Sequence, residues 1–168
     1  MRKPEILRLR GLGFLIATAT LALDQLSKWL ILNVVMKPPF LIELMPVLNL
    51  VLGYNRGVSF GLFGSDSQIG RWLLSALAIL IVCALTIWLL RVDKTRLSIA
   101  LGLIIGGAIG NVTDRIMIGA VVDFIDFHVG GFHWPAFNVA DMGITIGAAI
   151  LILDTIFDHK SDIKTDGR

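Results

Sequence analysis

Charged and amide side chains interrupt otherwise apolar stretches of this sequence at four places. They are Asp24 and Lys28; Asn111, Asp114 and Arg115; Asp123; and Asn138 and Asp141. A charge in the hydrocarbon region of a membrane costs about 2.5–3.5 kcal/mol on insertion scales, so each of these residues requires a structural or chemical reason.

Spacing places the members of each group on one side of a helix, because residues three or four positions apart are neighbours there. Such neighbours are Asp24 with Lys28, Asn111 with Asp114 and Arg115, and Asn138 with Asp141. For the opposite charges, Asp24 with Lys28 and Asp114 with Arg115, purely structural pairing is the simpler interpretation.

Two aspartates differ from the rest because neither has a basic residue at helical or adjacent spacing: Asp123 and Asp141. Two carboxyl groups within a few ångströms cannot both ionise easily, so one keeps a proton. The ionised one can take a proton from water while the neutral one donates to a carbonyl oxygen, which hydrolyses a peptide without a covalent intermediate. Such a pair titrates as a unit, and the sequence does not say which member is the base. Asp126 is the rival for the second carboxylate.

Other reactive side chains lack partners at useful spacing. His128 and His133 have no third ligand at a convincing distance in sequence, so we expect no metal and no other cofactor. The single Cys83 excludes an internal disulfide and any multi-cysteine zinc site. The net charge of +2, from 15 basic and 13 acidic residues, gives no indication of a nucleic-acid partner.

Four long apolar segments must hold these residues. Of the 168 residues, 55% are hydrophobic and 17% are charged, whereas a soluble domain carries about 25% charged residues. A membrane-spanning helix needs about 20 mostly apolar residues, and the segments cover about residues 11–35, 72–90, 97–117 and 136–157. The sequence therefore predicts a single all-α membrane domain. Glycines 102, 106 and 110 in the third segment would let helices approach closely.

Basic residues indicate how the four segments are oriented. Ten of the 15 lie before the first segment, between the second and third, or after the fourth. They are Arg2, Lys3, Arg8, Arg10, Arg91, Lys94, Arg96, Lys160, Lys164 and Arg168. Because cytoplasmic loops carry the excess of Lys and Arg, both termini are predicted to be cytoplasmic. An Ala17-Thr18-Ala19 triplet resembles a signal-peptide cleavage site but lies inside the apolar run, so we expect the first helix to be retained.

With this orientation, the polar groups gather near the outer surface, close to two outer connections. The first, about residues 40–64, mixes β-branched and aromatic residues with glycines, and we predict strands near 48–54 and 58–63 that turn at Asn55-Arg56-Gly57. Asp123 is expected in a loop of the second. A small proton-coupled transporter, the competing function, would place its acids near the midplane. A purely structural subunit would leave Asp123 and Asp141 unexplained.

Five short sequence motifs, each present once, follow one another along nearly the whole chain. They are Asp24-Gln25-Leu26-Ser27-Lys28, Asn55-Arg56-Gly57-Val58-Ser59-Phe60, Gly106-Gly107-Ala108-Ile109-Gly110-Asn111-Val112-Thr113-Asp114-Arg115, Val121-Val122-Asp123-Phe124 and Phe137-Asn138-Val139-Ala140-Asp141. Each is weak alone, but together they are highly specific. In these stretches the chain resembles lipoprotein signal peptidase, the type II signal peptidase of bacteria.

The resemblance implies an aspartic endopeptidase of the bacterial inner membrane, with its active site near the periplasmic face. Its substrates would be prolipoproteins that carry a diacylglyceryl group on a cysteine, and it would cut just before that cysteine. The implied fold is four transmembrane helices with a small periplasmic β-cradle and a short periplasmic helix. Globomycin-type inhibitors would occupy the same cleft, membrane lipids would surround the enzyme, and no oligomer would be required.

The matching motifs also imply roles for individual residues. Asp123 and Asp141 would be the catalytic dyad, which decides against Asp126. The residues implied to line or surround the site are Asn111, Arg115 and Asn138, with Asn55, Asp24, Lys28 and Asp114 around them.

Overall fold

Four long helices form the body of the protein, for which the computed structural model describes residues 3–38, 40–57 and 68–166. They are α1 (Lys3–Leu30), α2 (Gln68–Leu89), α3 (Thr95–Met117) and α4 (Val139–Asp166). A π-helical turn at Ile31–Val35 extends α1. Each helix contains a stretch long and apolar enough to cross a membrane, which confirms the predicted four spans.

The central helix of the bundle is α3, which packs against each of the other three. Glycines allow this packing to be close. A Cβ atom at Gly106 would collide with the carbonyl oxygen of Ala17 on α1, and one at Gly107 with the carbonyl oxygen of Ala140 on α4. The small residues of this helix therefore do what their spacing predicts: they bring main chain against main chain.

A four-stranded antiparallel sheet lies at the end of the bundle where α1 and α3 end and α4 begins. Its strands, in spatial order, are β1 (Leu41–Met45), β2 (Leu48–Asn55), β3 (Val121–Val129) and β4 (Phe132–His133). Phe124 of β3 packs with Ile31 and Met36, which attaches the sheet to the end of α1. Strand β2 agrees with the strand predicted near residues 48–54, whereas the strand predicted at 58–63 lies outside the described residues.

The prediction that Asp123 lies in a loop is wrong, because the residue belongs to β3. It lies opposite Gly53 of β2, just beyond an irregularity in the pairing between Leu50 and Gly53. The first four residues of β3 are all buried, so the strand lacks the alternation of apolar and polar residues that reveals a half-exposed strand. Within residues 40–57 and 118–138, the structure contains no separate short helix of the kind that the resemblance implied.

At the opposite end of the bundle, an ion-pair group joins α4 to the start of α3. Asp154 is buried, and its carboxylate lies 3.0 Å from Arg96 and 3.6 Å from Lys94. Ion pairs thus hold α3 and α4 together at this end of the bundle.

Candidate active site

Asn138 connects the two aspartates that lack a basic partner in sequence. Its side-chain Nδ2 donates to Oδ1 of Asp123 at 2.7 Å. Its Oδ1 accepts from the backbone N–H of Asp141 at 3.0 Å, and its own N–H donates to Oδ2 of Asp141 at 3.2 Å. This reciprocal arrangement is a capping box, with Asn138 as the cap of α4 and Asp141 in its first turn. One fully buried residue therefore fixes the relative position of both carboxyl groups.

Each aspartate accepts one further hydrogen bond from an asparagine. The Asn55 side chain bonds to Asp123, and Nδ2 of Asn111 donates to Oδ1 of Asp141 at 2.8 Å. Oδ1 of Asn55 also accepts from the N–H of Gly57 at 2.8 Å, in a turn where Gly57 has a φ of 86° that favours glycine. The structure thus brings together the predicted Asn55, Asn111 and Asn138 around the two acids.

Electrostatics connects the two carboxyl groups as well. Asp123 is only 3% exposed. Burial raises the pKa of its carboxyl above the ordinary value, the hydrogen bond from Asn55 offsets part of this, and the Asp141 carboxylate raises the pKa further. Asp123 therefore holds a proton more readily than an ordinary aspartate, as expected for one member of a proton-sharing pair.

Beside the aspartates lies a buried charge cluster centred on Lys28. Its Nζ is 2.8 Å from Oδ2 of Asp24, 2.7 Å from Oδ2 of Asp114 and 3.2 Å from Oδ1 of Asn111. The Asp24–Lys28 pair agrees with the sequence-based prediction. Asp114, which was expected to pair with Arg115, interacts with it electrostatically, but its close ion pair is with Lys28. Adjacent residues of a helix do not face each other, so Asp114 reaches across to α1 instead.

This cluster also anchors the two elements that carry the candidate dyad. Oδ1 of Asp24 accepts from the N–H of Ala140, in the first turn of α4, at 2.9 Å. Oδ2 of Asp114 accepts from the N–H of Val122, which precedes Asp123 on β3, at 3.1 Å. Asp24 therefore holds the backbone next to Asp141, and Asp114 holds the backbone next to Asp123. The two acids of the cluster thus position the candidate dyad in addition to forming ion pairs with Lys28.

One member of the cluster was not predicted from the sequence. Nε2 of Gln25 lies 3.1 Å from Oδ2 of Asp24 and 3.0 Å from Oδ1 of Asp114. Its only signal in the sequence was its place beside Asp24 in a motif.

Arg115 supplies positive charge to the candidate dyad. Its guanidinium interacts electrostatically with Asp141, Asp114 and Asp123. Nη1 donates to the carbonyl oxygen of Asn111 at 3.3 Å, whereas Nε is buried with no hydrogen-bond partner in the part of the chain that the structure describes.

Asp126, the rival carboxylate, belongs to a separate polar group. It lies three residues after Asp123 on β3, and successive side chains of a strand alternate between faces, so the two point to opposite faces of the sheet. Asp126 accepts from Nδ2 of Asn49 at 2.9 Å and lies 2.9 Å from Nδ1 of His133. The hydrogen bond with His133 holds the pKa of Asp126 below its ordinary value. The ring of His133 in turn stacks on His128.

Known proteins are similar to this chain in sequence and in fold. The family model described as signal peptidase (SPase) II matches residues 16–157. The lipoprotein signal peptidase of Methylorubrum extorquens (strain PA1) is 46% identical, over 92% of this chain and 91% of the relative. That of Methylobacterium sp. (strain 4-46) is 45% identical, over 88% of this chain and 90% of the relative.

A solved structure agrees with these relatives. It is a bacterial membrane enzyme determined by the in meso method, and it superposes with a TM-score of 0.77 at 30% identity, covering 90% of this chain and 91% of that chain. The resemblance drawn from the five short motifs is confirmed, because the family match includes all of them. The chain therefore belongs to the signal peptidase II family and is an aspartic peptidase.

Proposed function

We propose that this protein removes the signal peptide from diacylglyceryl-modified prolipoproteins and cuts just before the lipid-modified cysteine. Its relatives are named lipoprotein signal peptidases. The observation that carries the proposed mechanism is the bridge formed by Asn138, which bonds Asp123 and Asp141 at once. Two acids held in this way, with neutral amide donors around them, fit water-activated peptide hydrolysis.

The two aspartates take different roles in this proposal. Asp141 lies in the first turn of α4, where the helix dipole stabilises negative charge. Asp123 is buried, and its pKa is raised. We therefore assign the general base to Asp141 and the shared proton to Asp123.

The reaction follows from these assignments. Asp141 takes a proton from water as the water oxygen attacks the scissile carbonyl, and Asp123 gives its proton to the carbonyl oxygen. The resulting gem-diol collapses when Asp141 protonates the leaving nitrogen of the cysteine and Asp123 takes back a hydroxyl proton. Both aspartates then regain their starting charges. The Arg115 guanidinium, which interacts with both, moderates the repulsion when charge shifts between them.

A location at a membrane surface suits the lipid-modified substrate. The site lies at one end of the helical bundle, and exposed apolar side chains at the end of α3 flank it, including Met117 and Ile118. Acyl chains of the substrate can therefore stay among lipid while the scissile bond reaches the acids. From the distribution of basic residues we propose the inner membrane, with both termini cytoplasmic and the site near the periplasmic face. One chain supplies every residue of the proposed site, so the chemistry needs no second copy.

Cleavage of a defined substrate tests the proposal. Purified protein in detergent is incubated with a diacylglyceryl-modified prolipoprotein, and mass spectrometry follows loss of the signal peptide. The same precursor without lipid should remain intact, and a globomycin-type inhibitor should block cleavage. Failure of the wild type to cut the lipidated precursor would contradict the proposed substrate.

Two single variants, their combination and one control test the assignment of the dyad. Asp123→Asn and Asp141→Asn should each abolish cleavage, and the double variant should be no worse, because groups that act as a unit are lost together. Asp126→Asn is the matched control on the other face of β3 and should retain most of the activity. Wild-type turnover by Asp141→Asn would rule out the mechanism.

A further inference from the structure

We propose that Gln25 is a positioning residue of the peptidase: it orients Asp114, and through Asp114 it sets the strand that carries Asp123. This inference rests on the proposed function, because it concerns the same active site. Gln25 itself touches neither member of the dyad in the contacts that the structure describes.

The amide of Gln25 lies between two carboxylates on different helices. Nε2 is 3.0 Å from Oδ1 of Asp114, 3.1 Å from Oδ2 of Asp24 and 3.3 Å from the carbonyl oxygen of Gly110. An amide nitrogen has two N–H donors, so three acceptors saturate it. Gln25 thereby joins α1 to α3 at the level of the charge cluster.

Charge balance explains why a neutral donor is needed there. Asp24 and Asp114 face one ammonium group, and Lys28 binds Oδ2 of each. Oδ1 of Asp24 accepts from the N–H of Ala140, whereas Oδ1 of Asp114 accepts from Gln25. Asp114 is only 2% exposed, so water cannot readily replace that donor. A buried acceptor left without its partner is costly, so the Asp114 carboxylate would turn to share other donors.

Such a rotation would reach the dyad through one residue, Val122. Oδ2 of Asp114 accepts from the N–H of Val122 at 3.1 Å, and the carbonyl oxygen of Val122 accepts from Nδ2 of Asn138 at 3.2 Å. That amide is also the donor to Asp123. Moving Asp114 therefore shifts the peptide next to Asp123 and the residue that bridges the two acids. A misplacement of about 1 Å can lower a rate about 100-fold.

The variant Gln25→Met tests this role, because methionine is similar in length and has no N–H donor. We expect kcat to fall about tenfold or more while KM changes less than twofold, since the contacts of Gln25 are with the cluster rather than the substrate. Gln25→Glu is a second variant of the same size, which lacks a donor when ionised, and its kcat should fall at least as far. Rates are measured per folded enzyme, with the folded fraction taken from thermal unfolding.

A matched control removes another amide from the same helix. Asn33→Leu loses a hydrogen bond from Nδ2 to the carbonyl oxygen of Trp29, an exposed contact within α1 and its π-helical extension. It should keep wild-type kcat and KM. Equal losses in Asn33→Leu and Gln25→Met would show that any lost amide on this helix has the same effect, which would overturn the inference.

A double-mutant cycle tests the route through Asp114. If Gln25 acts through that carboxylate, Gln25→Met should lower kcat less than twofold further in an Asp114→Asn background. Full additivity, wild-type kcat in Gln25→Met, or a change confined to KM would each overturn the inference. In all of these cases the wild type still cleaves the lipidated precursor and Asp123→Asn does not. If the wild type itself fails to cleave, the proposed function falls and the inference falls with it.

Discussion

The side-chain amide of Asn138 lies 2.7 Å from Oδ1 of Asp123, and the same residue caps the helix that carries Asp141. Position of the acids and stability of α4 thus depend on one side chain. These two roles can be separated, because serine also caps helices but is too short to keep both contacts.

We predict that Asn138→Ser and Asn138→Ala both lower kcat, by about 100-fold, since each removes the hydrogen bond that Asn138 donates to Asp123. Only the alanine variant should lose helix-cap stability, about 1 kcal/mol. The measurements are kcat on a lipidated precursor and the thermal midpoint in one detergent. Wild-type kcat in Asn138→Ser, with a large loss only in Asn138→Ala, would show that the cap, rather than the amide, governs activity.

The raised pKa of Asp123 predicts how stability depends on pH. A carboxyl whose pKa is higher in the folded than in the unfolded protein binds more protons when folded, so stability falls as pH rises from the ordinary value, about 3.9, through the raised one. Asp123→Asn removes that loss. Its thermal midpoint should therefore exceed that of the wild type at pH 8, and the difference should shrink as the pH falls and disappear below the ordinary pKa of about 3.9. The exposed Asp93→Asn serves as control. A lower midpoint for Asp123→Asn at pH 8 would contradict the assigned direction.

Close packing between α1 and α3 predicts opposite effects for two glycine substitutions. A Cβ at Gly106 would meet the carbonyl oxygen of Ala17, so Gly106→Ala should force the helices apart and destabilise the protein by about 1–3 kcal/mol. Gly11 lies on α1 with nothing within 4 Å of the added Cβ. Gly11→Ala should therefore be neutral, or stabilising by up to about 1 kcal/mol. Thermal unfolding of both variants decides the point, and equal destabilisation would contradict the packing.

The proposed orientation predicts which ends of the bundle a reagent can reach. Glu43 on β1 and Asp93 between α2 and α3 are both exposed, at opposite ends of the bundle. In a Cys83→Ala background, Glu43→Cys should react with a membrane-impermeant thiol reagent in intact spheroplasts. Asp93→Cys should react only after lysis. Labelling of Asp93→Cys in intact spheroplasts, with labelling of Glu43→Cys only after lysis, would show that the protein has the opposite orientation in the membrane.

The membrane spans and most of the polar site could be predicted from sequence because both leave strong local signals. An uncharged apolar run of about 20 residues is long enough to cross a bilayer and longer than most buried core helices. A charge inside such a run must have a partner or a role. Asp24 and Lys28 sit four residues apart, so even their contact follows from helix geometry.

Contacts between elements could not be predicted in the same way. The pairing of Lys28 with Asp114 depends on how α1 and α3 cross, which no spacing along the chain records. Strand β3 was missed because burial on both faces removes its alternation. Gln25 was missed because nothing in the sequence indicates the partners of its amide. Its three acceptors, two of them on α3, become evident only in the folded structure.

The glycine contacts of α3 and α4 also bear on how well the membrane stays sealed. Gly106 and Gly107 lie against carbonyl oxygens of α1 and α4, and Gly147 lies against that of Ala100, nearer the other end. Main chain packed so closely leaves too little space for a continuous file of water, which needs about a probe sphere of volume per molecule. Along these contacts, the main chain between the charges around Lys28 and those around Asp154 lies too close to admit water. We therefore expect a proton taken up at the site not to pass along these helix contacts to the other end of the bundle, so that peptide hydrolysis does not discharge a proton gradient.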